Sequence, residues 1–146
     1  MPKRRPIPPR VIPDDNSVAR FCSAATVLDS TGHVTGAAFF PRPQDEGRIS
    51  VEWVECVSAP PLTVQLDAIR ASLSKRVVGY RASGKIALLR TGDVRNVVHE
   101  NQRLDVVHRP THSSRCHAGI IGLDGLLVLP LAEMLSDLAN TNTVSA

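Results

Sequence analysis

Four residues that could bind a metal ion or transfer a proton lie within one short stretch of the chain. They are His108, His112, Cys116 and His117. Imidazole nitrogens and thiolates are good zinc ligands, and four of them complete a tetrahedral site. The stretch lacks a CxxC pair, however, and Pro110 interrupts any helix that would align residues four apart. We therefore predict no cofactor, with His112 exposed and Cys116 and His117 on opposite faces of a strand, and keep zinc as the alternative.

The histidines also allow acid–base chemistry without a metal ion. One imidazole would accept a proton and another would return it, while a cation stabilises the developing charge. The candidates are His117, His108 and His33, with Arg42 as the cation. Because these residues are far apart in sequence, their spacing does not require them to meet. A histidine beside an apolar strand more commonly has a structural role, and we favour that role here.

Arg42, Asp45 and Ser50 form a further group between two predicted strands. An arginine–carboxylate pair can organise a loop through parallel hydrogen bonds. We expect Arg42 and Asp45 to organise the loop 41–47 in this way, rather than to face a ligand.

The positive charge is unevenly distributed, in a pattern that favours an anionic partner. The net charge is +3, but the first ten residues contribute +4 and residues 68–99 contribute +6. The candidate binding residues, besides Arg42, are Lys3, Arg4, Arg5, Arg10, Arg70, Lys75, Arg76, Arg81, Lys85, Arg90 and Arg95. Aromatic residues make up only 3% of the chain, which argues against base stacking. Contacts to nucleic acid would therefore be made to phosphates.

Several functional classes are excluded by missing motifs. The chain has no phosphate-binding loop with its lysine, no dinucleotide fingerprint and no nucleophile elbow. It also has no apolar run long enough to span a membrane and no secretory signal after Met1. Cys22, Cys56 and Cys116 are widely separated, so we expect reduced thiols and a cytoplasmic protein.

The element pattern predicts an α+β fold, a compact single domain with a mostly antiparallel sheet and two to three helices. Residues 1–16 are basic and proline-rich and are expected to be disordered or bound to a partner, whereas residues 17–146 form the domain. We predict a hairpin from segments 18–28 and 33–40, then a strand at 48–55 with Trp53 facing the core. Helices are predicted after Ser58, after Gly92 and over 129–138, with strands at 85–91, 104–107 and 117–121, and residues 140–146 should fray.

Two segments resemble a group of small uncharacterised bacterial proteins. The first is Gly36-Ala-Ala-Phe-Phe-Pro-Arg42, followed by Asp45 and Ile49-Ser-Val51. The second runs from Leu104 to Pro110 and continues with Cys116-His-Ala118. In that group the openings read Ala-Phe, Pro-Arg, an acid and Leu-Ser-Val, and the closing segment reads Ala-His-Ala. The resemblance covers residues 33–122, implies a compact bacterial domain and supplies no catalytic mechanism.

Two functional hypotheses follow. The first is a non-enzymatic accessory or adaptor protein of a bacterial complex, such as a mobile-element or defence complex. It would bind a protein partner and contact nucleic acid through the basic residues, without a membrane. The second is a small metal-independent hydrolase or nuclease that uses histidine acid–base chemistry.

Overall fold

The computed structural model describes residues 4–25 and 28–146 and confirms the α+β fold. The strands are β1 (Ser17–Cys22), β2 (Ile49–Trp53), β3 (Lys85–Arg90), β4 (Val98–His99), β5 (Gln102–Arg103), β6 (Asp105–His108), β7 (His117–Ile121) and β8 (Thr143–Ser145). Six of them form one antiparallel sheet in the order β6-β7-β2-β1-β3-β8, while β4 and β5 pair with each other. The α-helices are α1 (Val54–Val57), α2 (Leu62–Arg76), α3 (Thr91–Arg95) and α4 (Val128–Ala139).

The two faces of the sheet are covered to different extents. On one face, Leu131 and Leu135 of α4 belong to a large core that also contains Trp53. On the other face, α2 contributes Leu66 and Ile69 to a smaller core over β1 and β3. The same face of β2 and β7 carries polar residues, because the alternation of β2 turns its apolar side chains to the large core. This half of the sheet is left open.

The predicted hairpin between segments 18–28 and 33–40 is wrong. Strand β1 pairs with β2 and β3, and only an isolated bridge joins Leu28 to Val34. Residues Gly36–Phe39 form a 3-10 helix, because the buried side chains of Ala38 and Phe39 belong to the core that α4 completes. Burial of adjacent side chains on one side fits a helical turn better than the alternation of a strand.

The C-terminal residues 140–146 were expected to fray, but Thr143–Ser145 pairs with β3 as an edge strand. Val144 packs against the small core beneath α2. In addition, Arg70 of α2 donates two hydrogen bonds to the Ser145 carbonyl, at 2.9 and 3.1 Å. These contacts hold the end of the chain on the sheet.

The expectation of three reduced thiols is also wrong. Cys56 and Cys116 form a disulfide, although 60 residues separate them. Cys56 lies in α1 directly after β2, and Cys116 directly precedes β7, so the pairing of Glu52 with His117 brings them together. Cys22 is free and buried, and burial raises the pKa of its thiol to about 11.

The N-terminal segment is in contact with the domain before Ser17. Residues 4–16 form no strand or helix, but Ile12 is 1% exposed and lies in the large core. The Arg95 guanidinium donates to the Ile12 carbonyl and pairs with Asp14, both at 2.7 Å. The packed body therefore begins earlier than the boundary at Ser17 that composition suggested.

Candidate functional site

The open half of the sheet brings together Arg48, Ser50, Arg109 and His117, which we call the His117 site. They line a cleft of about 120 Å³ together with Gly119. The register explains this arrangement, because Ser50 of β2 lies opposite Gly119 of β7, and Glu52 lies opposite His117. These side chains project from the face that α2 leaves uncovered.

The His117 ring is held by one nitrogen and open at the other. Its Nδ1 lies 3.0 Å from the Arg109 carbonyl oxygen, which can only accept, so Nδ1 carries the proton and donates. None of the described residues hydrogen-bonds to Nε2. The ring also lines the neighbouring clefts of about 320 and 890 Å³. His117 is thus the residue on which the three clefts converge.

Two arginines of the site have guanidinium groups available for a ligand. Arg109 is exposed, and its side chain forms no hydrogen bond or ion pair with residues 4–25 or 28–146. It extends over Gly119, where an added β-carbon would lie 3.7 Å from Arg109 Cδ. Arg48 uses only Nε, which donates to the Asp45 carbonyl at 3.1 Å. The terminal nitrogens of both side chains are free to bind an anion.

The carboxylates around the three clefts are already neutralised by other arginines. Their pairs are Asp45 with Arg42, Glu52 with Arg76 and Asp105 with Arg95. The first pair confirms the loop-organising role predicted for Arg42, and these hydrogen bonds lower the pKa of the Asp45 carboxyl below its ordinary value. The local charge that is left uncompensated is therefore positive.

A partly buried arginine supports the site from the side of β1. Beyond the pairing of Ala19 with Glu52, strands β1 and β2 diverge, and the Arg20 side chain enters the gap. Its Nη1 donates to the Ser50 carbonyl at 2.7 Å, and its Nε donates to Ala38 at 3.0 Å. Burial lowers the pKa of the Arg20 guanidinium from its ordinary value. Arg20 fixes the backbone from which the Ser50 side chain projects.

The three histidines proposed as catalytic are not gathered in one site: His108 lines the cleft of about 890 Å³ with His117, but both of its ring nitrogens are bonded, and His33 lies outside that cleft. His108 is 5% exposed; its Nδ1 accepts from the Arg10 amide at 2.9 Å, and its Nε2 donates to the Arg115 carbonyl at 2.8 Å. His33 lies in an exposed turn with Nδ1 bonded to the Thr31 hydroxyl, and it lines none of the clefts around His117. A mechanism that shuttles protons between two of these histidines therefore lacks its second partner.

The residues suggested for zinc are separated by their other contacts. Cys116 is in the disulfide, both nitrogens of His108 are occupied, and His112 is exposed. Across the described ranges, no group of three or more histidine, cysteine or acidic side chains is arranged to hold a metal ion.

The basic residues predicted from charge do not form a single patch. Lys3 lies outside the described residues. Arg4, Arg5, Lys75 and Arg81 are exposed. Lys85 and Arg90 are at opposite ends of β3, with Arg90 3.7 Å from Asp93. Structural contacts occupy Arg70, Arg76 and Arg95.

Arg10 combines a structural position with exposure. Its guanidinium lies 4.7 Å from the Trp53 ring centroid and donates to Cys56 Sγ at 3.6 Å. Arg10 also lines the cleft of about 890 Å³, beside Arg109 and His117. The arm therefore adds one cation to the neighbourhood of the His117 site.

Sequence reasoning missed Arg48, Arg109 and Arg20. A signal existed for Arg20, a charged residue within an apolar strand, and for Arg109, which follows the predicted strand 104–107. Arg48 carried no such signal, because its role depends on the pairing of β2 with β7.

No protein-family model matches the chain, and no similar curated protein or solved structure was found. Within residues 4–25 and 28–146, none of the helices has the length and apolar character needed to cross a membrane.

Proposed function

We propose that this protein is a non-enzymatic accessory protein that binds the phosphates of a nucleic acid at the His117 site, as part of a bacterial complex. One observation carries the proposal: the guanidiniums of Arg48 and Arg109, which form no ion pair with any carboxylate of the described residues, flank the open Nε2 of His117 on an exposed sheet face. Arginine recognises phosphate oxygens through paired N–H groups, and an uncompensated positive cleft attracts a polyanion.

The shape of the surface supports an extended ligand. The central cleft of about 120 Å³ has room for a small anionic group, and His117 also lines the two larger clefts beside it. Arg10 lies on one side of this surface, and the exposed Arg4 and Arg5 precede it in the arm. A chain of phosphates could thus contact several cations, and its affinity would depend steeply on salt.

Binding is favoured over catalysis because His117 has no second group positioned for proton transfer. The nearby carboxylates of Asp45 and Glu52 are paired with Arg42 and Arg76. Ser50 lacks an adjacent base to activate its hydroxyl, apart from His117 itself. Because the contacts are made to phosphates and few aromatic side chains are present for base stacking, we expect the protein to bind nucleic acids with little preference for their sequence.

The first prediction concerns the salt dependence of binding. Arg109→Ala should weaken the binding of a labelled oligonucleotide and reduce the salt slope by about one, the contribution of roughly one phosphate contact. Fluorescence anisotropy at several salt concentrations measures both quantities. The substitution leaves the backbone carbonyl that holds His117 Nδ1 in place.

Arg90→Ala is the matched control, because Arg90 is an exposed arginine on β3, away from the His117 site. It should leave the salt slope of the wild-type protein nearly unchanged. Equal slopes for the wild type and both variants would contradict the proposal.

A steric variant separates a defined site from diffuse attraction. Gly119→Val adds no charge but places a side chain beneath the Arg109 guanidinium. Localised binding predicts weaker affinity for Gly119→Val, whereas diffuse attraction predicts no change. Circular dichroism checks that the variant remains folded.

A hydrolase remains the second candidate, and the orientation of His117 favours it specifically. Because Nδ1 donates to the Arg109 carbonyl, Nε2 is the nitrogen that would accept a proton if the neutral ring acted as a general base. If this candidate is right, the wild type cleaves the bound oligonucleotide, and His117→Ala binds it without cleavage. The accessory role predicts no cleavage by either protein.

Cytoplasmic localisation and a defence complex stay predictions within this proposal. The thiol argument for the cytoplasm no longer applies, since Cys56 and Cys116 are bonded.

A further inference from the structure

The edge strand β6 directs alternate backbone groups away from the sheet. Val107 pairs with Gly119 and His108 pairs with Ala118. The Arg109 amide donates to the His117 carbonyl at 2.9 Å, so residues 105, 107 and 109 direct their backbone groups towards β7. Residues 104, 106 and 108 therefore direct their N–H and C=O groups outward.

These outward groups are satisfied along only part of the edge. The Leu104 amide donates to the Val97 carbonyl at 3.1 Å. The Val106 amide donates to the Asp105 carboxylate at 2.7 Å, and the Val106 carbonyl accepts from Arg95 at 3.0 Å. At His108, by contrast, no residue in the described ranges hydrogen-bonds to the outward N–H or C=O. Unpaired backbone groups in a residue this buried are uncommon.

The unpaired groups belong to a residue that lines the cleft of about 890 Å³ beside His117. This cleft lies between the arm residues 7–12 and β6. Its walls are mainly apolar and include Ile7, Val11 and Val107, and Val11 is 85% exposed. An extended chain satisfies such a strand edge with its own backbone and places alternate side chains against the walls.

The charges around the cleft indicate the composition of that chain. Arg10 and Arg109 line it, and its only lining carboxylate, Asp105, is bonded to Arg95. We propose that this cleft binds an extended acidic segment of a protein partner, whose backbone extends the sheet by pairing with the outward N–H and C=O of His108 at the open end of β6. The cleft shares Arg10, Arg109 and His117 with the surface proposed for nucleic acid, so the acidic segment and a nucleic acid would exclude one another there.

Hydrogen exchange of the His108 amide tests this proposal directly. The probe is a short acetylated peptide in which valine and glutamate alternate, added to the full-length protein without nucleic acid. Strand addition predicts that the peptide slows exchange of the His108 amide by roughly tenfold or more, as a new backbone hydrogen bond would. Amides of α4, none of whose residues line this cleft, serve as the internal control.

Two control peptides identify the contacts responsible. N-methylation of alternate peptide amides keeps every side chain but removes backbone donors, so it should weaken binding by about tenfold. Replacing glutamate by lysine should abolish binding by charge repulsion. Binding that is unaffected by N-methylation, or a lack of His108 protection at saturating peptide, would overturn the proposal.

Two further outcomes would assign the cleft to another occupant and also overturn the proposal. Protection of His108 that rises with protein concentration alone would mean that a second copy covers the edge. Protection by an oligonucleotide but not by the peptide would place nucleic acid in the cleft.

Discussion

Trp53→Ala is expected to lower the free energy of unfolding by about 3–5 kcal/mol, the usual cost of truncating a large buried side chain. Trp53 is 6% exposed, which confirms the burial predicted from the alternation of β2. Its indole N–H donates to Asn16 at 2.8 Å, and its ring contacts the His108 ring edge and the Arg10 guanidinium. The substitution therefore creates a cavity and also removes two contacts of the N-terminal segment, those of Asn16 and Arg10.

Urea unfolding followed by circular dichroism measures this effect, because the variant lacks the only tryptophan. Trp53→Phe is the matched variant, since it keeps most of the apolar volume and loses the bond to Asn16. Trp53→Phe should lower the free energy of unfolding by less than Trp53→Ala does. A loss below about 1 kcal/mol in Trp53→Ala would contradict the packing described here.

The second large effect concerns the disulfide. Replacing both Cys56 and Cys116 by serine is expected to lower stability by about 4 kcal/mol, because the bond closes a long loop of the unfolded chain. The 60-residue separation places this crosslink among those that restrict the unfolded state most. The contact of Arg10 with Cys56 Sγ would be lost as well.

Cys22→Ala is the control, because it removes the free thiol and leaves the crosslink intact. A thiol assay gives an independent check. The unreduced protein should expose one reactive thiol on unfolding and none when folded, since Cys22 is buried and its raised pKa keeps it protonated near neutral pH. Three reactive thiols in the unfolded, unreduced protein would contradict the disulfide.

The elements that the sequence predicted correctly are those with a regular apolar period. The alternation around Trp53 located β2, and the spacing of Leu66, Ile69 and Leu73 located α2. Leu62 shared that spacing, yet it is 46% exposed because it lies at the start of the helix, beyond the core. Local patterns therefore predicted where a helix or strand occurs more accurately than they predicted the residues at which it begins and ends.

The errors concern long-range pairing, which local patterns do not encode. Segment 33–40 looked like the partner of β1, but β1 pairs with β2 and β3, which lie further along the chain. The Cys56–Cys116 bond and the meeting of Arg48 with Arg109 follow from the pairing of β2 with β7. The pairing of two strands that lie far apart in sequence is set by the whole sheet. The spacing of residues along the chain therefore could not predict the disulfide or the meeting of the two arginines.

Nuclear magnetic resonance of the histidine rings tests the central claim most directly. Histidines labelled with the heavy nitrogen isotope give separate ring signals, and unlabelled oligonucleotide is added at low salt. Binding at the His117 site predicts a shift of the His117 Nε2 signal, with little change at His33 in its distant turn and at His108, whose two nitrogens are already bonded. An oligonucleotide that binds without moving the His117 signal would contradict the account.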